Sequence, residues 1–125
     1  MELDVAITGL LDARNKLRGT RGVSDPTFIS EQMMRLTQYT GAVEEHLALF
    51  EEELEIAEMR EFDNQLTQGK SVNMSETLAK QKVGSQKGKI AYLKRLVNSS
   101  WSIIGVSQSR FNHLNTERGM GKHTT

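Results

Sequence analysis

Residues 80–95 hold Lys80, Lys82, Lys87, Lys89, Lys94 and Arg95, six cations in sixteen residues with no acid between them. A run of that density can hold a nucleic-acid backbone through phosphate contacts, without reading base sequence. The nearby aromatics are Tyr92 and Trp101, so base stacking would add little. The same charges have a competing use inside the chain. Residues 26–68 carry ten acidic side chains against Arg35 and Arg60, while residues 70–122 carry ten basic ones against Glu76 and Glu117. An acidic helix laid on a basic one selects its pairing, although each exposed ion pair contributes only about 0 to 1 kcal/mol.

Other chemistry finds little support. There is no Cys, which removes disulfides, thiolate nucleophiles and Cys-ligated zinc. His46, His113 and His123 are the histidines, and folding the chain back at its central turn places His46 opposite the neighbourhood of Val97, far from His113. No metal site within one chain is expected. Glu44, Glu45 and Glu51 to Glu53 lie on a solvated helix with no apolar pocket to raise a carboxyl pKa. Gly84 and Gly88 lack the strand and further glycines of a phosphate loop or dinucleotide fingerprint. Ser107, Ser109 and Arg110 have neither a base nor an oxyanion hole beside them. The expectation is a non-enzymatic protein without metal or cofactor.

The elements that must carry these residues are helices. Breakers gather at residues 19–25, 69–73 and 119–121. They divide the chain into an N-terminal helix and linker (1–25), a helical hairpin (26–118) and a flexible tail (119–125), all within one domain. In the first helix Leu3, Ile7, Leu10 and Leu17 share a face, and Gly9 costs about 1 kcal/mol relative to Ala. The second starts with Asp25 as N-cap and Pro26 in its first turn. Its seam is Ile29, Met33, Leu36, Thr40, Val43, Leu47, Phe50, Leu54 and Ala57, in the alternating three-four spacing of a coiled coil. The third opens with Asn73 and Glu76 in capping-box order and carries Ala79, Val83, Gln86, Ile90, Leu93, Val97, Ser100, Ile104, Ser107, Phe111 and Leu114. The short connection between them makes a long antiparallel hairpin, so the fold class is all-α. Gly84 and Gly88 mark a bend or break in the third helix, or a close approach by another backbone.

One seam does not use all the apolar residues. Leu49, Ile56 and Met59 on the second helix, and Leu96, Trp101 and Ile103 on the third, fall outside it. The last three are the expected interface of a homo-oligomer. No run approaches the roughly 20 apolar residues of a membrane span, and Glu2 and Asp4 stand where a signal peptide would be basic. A soluble, cytoplasmic protein is expected.

The layout from Thr27 to Glu117 resembles the UvsY-type recombination mediators of tailed phages. The shared pattern is a long helix, a short Gly-containing turn, a capped second long helix, and an apolar stretch leading to a Ser–basic pair. Here that stretch is Leu96, Val97, Asn98, Ser99, Ser100, Trp101, Ser102, Ile103 and Ile104, followed by Ser109, Arg110 and Phe111. The resemblance implies a small, helical, ring-forming protein that binds single-stranded DNA and assists loading of a recombinase, in the host cytoplasm. One feature departs from the pattern. The family's basic stretch near the end of the first long helix is here Ala57, Glu58, Met59, Arg60, Glu61 and Phe62, so DNA contact falls instead to Lys80, Lys82, Lys87, Lys89, Lys94 and Arg95. The alternative is a protein-binding module, such as an inhibitor, anti-defence protein or assembly scaffold, acting through its acidic and apolar helix faces.

Overall fold

A computed structural model describes residues 1–124, with side chains through Glu117. Its elements are α1 (Leu3–Arg18), α2 (Arg21–Ser24), α3 (Pro26–Thr67), α4 (Val72–Lys82) and α5 (Gly84–Thr124), with no strand among the described residues. The all-α class expected from the apolar spacing is the observed one. The chain forms two units, Met1–Glu44 with Leu96–Thr125, and Glu45–Arg95; α3 and α5 contribute to both.

In the first unit, Ala6, Leu10, Ala13 and Leu17 of α1 are fully buried, at helical spacing on one face. Gly9 has a positive role beyond its propensity cost: a Cβ there would stand 2.4 Å from the Tyr39 ring, so only glycine lets that ring lie on the α1 backbone. The expected linker contains a short helix, α2, and Gly22 sits so close to α1 that a Cβ would meet the Leu17 carbonyl oxygen at 2.1 Å. Asp25 is the N-cap of α3, its Oδ1 accepting the Phe28 N–H at 3.2 Å. Arg21 also reaches Asp25 at 3.2 Å and stands 4.2 Å over the Phe28 ring. The seam Ile29, Met33, Leu36, Thr40 and Val43 is buried as its spacing predicts. Thr40 is wholly buried and its hydroxyl has no hydrogen-bond partner among the described residues.

In the second unit, α3 ends in a Schellman turn. Gly69, at φ +88, donates to the Leu66 carbonyl at 3.0 Å, and Lys70 donates to that of Gln65 at 3.3 Å. The positive φ explains the glycine. The next helix starts earlier than the capping-box reading placed it. Ser71 is the N-cap, accepting the Met74 N–H at 3.2 Å, and Asn73 lies inside α4. The third segment is also two helices rather than one. Helix α4 stops at Lys82, Val83 leaves the helical region (φ −98, ψ 13), and α5 restarts at Gly84, which is the break expected near the glycine pair. Leu47, Ala79, Val83, Ile90 and Leu93 are buried, Phe50 and Leu54 half-buried, and Gln86 is exposed rather than part of the seam.

Helix α5 continues to Thr124, past the end expected at Arg118. The expected tail at 119–125 lies outside the residues whose side chains are described, and Thr125 outside the described residues altogether.

Candidate nucleic-acid interface

The helix geometry of α4 and α5 disperses the six cations. On α5, Lys87 and Lys94 are two turns apart and share one edge, Lys89 points elsewhere, and Arg95 lies on a strip with Gly84, Gly88 and Ala91. That strip is exposed along its length, and the positions above Gly84 and Gly88 are open space.

Inside the second unit, α3 claims half of the cations. Lys87 pairs with Glu58 at 3.7 Å and Lys94 with Glu51 at 3.5 Å, two contacts seven residues apart on both helices and therefore in one antiparallel register. Lys89 stands 4.4 Å over the Phe50 ring. The intramolecular use of the charge is real, but it is weak. Both lysines are about half exposed, at 41% and 55%, where an ion pair contributes little. Lys82 and Arg95 are exposed with no ion pair among the described residues. Lys80 is likewise unpaired, although it lines a groove of about 470 Å³ with Glu58, Met59, Phe62, Asp63 and Glu76. No carboxylate occurs on the chain between Glu76 and Glu117, so the outer side of α5 here carries positive charge alone.

The expected oligomer flank is largely used within the chain. Leu96 is buried at 6% exposure, and Ile103 is half-buried beside Leu17 in a small cleft. Trp101 stays 41% exposed, its indole N–H donating to Glu44 Oε1. The first unit has enough helix, from α1 and α3, to cover what a bare hairpin would leave open. Leu96 is therefore not a free surface, while Ile103 keeps an accessible edge at that cleft. The exposed apolar stripe lies instead on α3 of the second unit, where Leu49 (56%), Ile56 (43%) and Met59 (62%) are framed by exposed Glu52, Glu53 and Asp63. Sequence spacing had already put these three outside the seam.

The histidines occupy separate settings. His113 pairs with Glu117 at 3.1 Å one turn along α5, and His46 lies 6.3 Å from Phe50, ring to ring. Among the described residues no group of His, Asp or Glu has the geometry to hold a metal ion, and no helix is long and apolar enough to cross a membrane.

Fold and surface together define an all-α protein whose polar features lie on open helix faces. Comparison with known proteins adds no relative: no protein family, curated protein or solved structure matches the chain.

Proposed function

We propose that this chain is a non-enzymatic accessory protein of phage-type DNA recombination or replication. In this reading it is oligomeric, holds single-stranded DNA by its backbone and assists loading of a recombinase. The observation that carries the reading is the acid-free basic run on α4 and α5 of the second unit. Lys82 and Arg95 are exposed and, with Lys80 in its groove, have no ion pair among the described residues, Lys87 and Lys94 hold only half-exposed pairs with α3, and no acid interrupts the run. The resemblance of residues 27–117 to UvsY-type mediators supplies the biological setting. Phosphates can replace Glu51 and Glu58 at the lysines at small cost, since each exposed pair contributes about 0 to 1 kcal/mol.

The test is fluorescence anisotropy with labelled single-stranded oligonucleotides of unrelated sequence over a range of salt. The reading expects binding that is similar for all sequences and weakens steeply with salt, and that is lost in the Lys80→Gln/Lys82→Gln/Arg95→Gln variant. Absence of binding by the intact protein near ~50 mM salt, where phosphate contacts are strongest, would sink it.

A second reading is favoured by the exposed Leu49, Ile56 and Met59 among carboxylates. An apolar stripe in an acidic frame suits a partner protein with a basic amphipathic surface, which is the protein-binding alternative. Replacing Ile56 and Met59 by Ser would abolish partner capture or self-association in light scattering and leave DNA binding unchanged, which separates the two readings.

A further inference from the structure

The first unit contains a second cationic feature, independent of the basic run. A cleft of about 210 Å³ is lined by Arg18 at the end of α1 and by Ser102, Ser107 and Arg110 on one face of α5, with Leu17, Ile103 and Val106 as its apolar wall. Leu17 is fully buried, which anchors the last turn of α1 and holds Arg18 at the cleft. On α5 the spacing of Ser102, Val106, Ser107 and Arg110 brings all four to the same side.

Three other basic side chains of this unit are committed elsewhere. Lys16 pairs with Asp12 at 3.0 Å, Arg35 with Asp12 at 3.1 Å, and Arg21 with Asp25 at 3.2 Å. Arg18 and Arg110 have no carboxylate within ion-pair distance among the described side chains, and both open onto this one cleft, whose lining contains no acid. Two guanidiniums and an apolar wall form a receptor for a compact anion joined to a short carbon skeleton. Guanidinium forks match phosphate oxygens by geometry as well as charge. The cleft is below the ~300 Å³ at which drug-sized pockets begin, which restricts it to small groups.

We propose that the Arg18–Arg110 cleft binds a phosphate monoester, with the phosphate on the two guanidiniums and the first carbons of the ester against Ile103 and Val106. The same chemistry is offered by a free phosphate ester and by the 5′-phosphate at the end of a strand.

The test is isothermal titration of the full chain with butyl phosphate and with inorganic phosphate, and competition by a trinucleotide with a 5′-phosphate or a 5′-hydroxyl. The expected result is one saturable site per chain that prefers butyl phosphate to inorganic phosphate. Arg18→Gln should weaken it about tenfold, as loss of a charge-assisted hydrogen bond does. Arg110→Gln should act similarly, while Lys80→Gln/Lys82→Gln should leave it unchanged, so this site and the basic run fail or succeed separately. Competition by the phosphorylated trinucleotide alone identifies a strand end as the source; no competition by either identifies a free ester. Because Arg110 is half-buried, circular dichroism checks its variant, and exposed Arg18 carries the test if that variant unfolds. No saturable binding by the folded wild type, or binding unaffected by Arg18→Gln, would overturn the proposal.

Discussion

Removing Glu51 and Glu58 should strengthen DNA binding. These carboxylates hold Lys94 at 3.5 Å and Lys87 at 3.7 Å, with side-chain exposures between 30% and 55% across the two pairs. In Glu51→Gln/Glu58→Gln the lysines lose their partners but keep their place on α5, and two negative charges leave the neighbouring helix. Stability should fall by at most about 2 kcal/mol for both pairs together. Binding should tighten. Phosphate no longer has to displace the two carboxylates, so affinity at fixed salt should rise by up to about thirtyfold, the equivalent of about 2 kcal/mol for the two pairs. The complex contains the same phosphate contacts in both proteins, so the log–log salt slope should stay at the wild-type value. Anisotropy at four or five salt concentrations reads both quantities. A double variant that stays folded and binds no more tightly would refute the assignment of Lys87 and Lys94 to phosphate contacts.

Other expectations follow from single positions. Gly22→Ala should destabilise by about 1 to 3 kcal/mol, because the new methyl meets rigid backbone at Leu17. Gly88→Ala, which points into open space, should stabilise by about 0.5 to 1 kcal/mol, and chemical denaturation ranks the two. Thr40→Val removes a buried hydroxyl without a partner and should stabilise by about 1 to 3 kcal/mol in the same assay; a loss would mean the hydroxyl is satisfied in solution. The pH dependence concerns Asp25, held below the usual carboxylate value by the Phe28 N–H and Arg21, and Asp12, held down by Lys16 and then Arg35. Depressed folded values mean that their contribution is present above about pH 3.9 and is lost as pH falls through the folded pKa. Thermal stability should therefore fall below pH 4 in the wild type and less so in Asp25→Asn, which keeps the cap acceptor; equal slopes would contradict this.

The residues whose role depends on local spacing were legible in the sequence. The Ile29 to Leu47 seam, the Asp25 cap and the break near Gly84 follow from helical periodicity and terminus chemistry. Leu49, Ile56 and Met59 were recognisable as surplus for the same reason. What depended on tertiary packing was not legible. Leu96 reads as exposed only if the hairpin stands alone, and the packing of the first unit buries it and leaves Ile103 half-buried at a cleft. Gly9 and Gly22 have the same signature as any helix-weakening glycine, because the Tyr39 ring and the Leu17 carbonyl that require them are distant or irregular in sequence. Ser71 was missed as a cap because Asn73 and Glu76 offered a stronger motif two residues later. The Arg18–Arg110 pairing joins residues from opposite ends of the chain, and no spacing rule connects them.

The most direct test of the central claim is lysine footprinting. The protein is acetylated under limiting reagent with and without a single-stranded oligonucleotide, and modification is read residue by residue by mass spectrometry. The account predicts strong protection of Lys80 and Lys82, protection of Lys87 and Lys94 as phosphate replaces Glu58 and Glu51, and no change at Lys16, which is paired with Asp12 in the other unit. Equal modification of Lys80, Lys82, Lys87 and Lys94 with and without saturating oligonucleotide would contradict it.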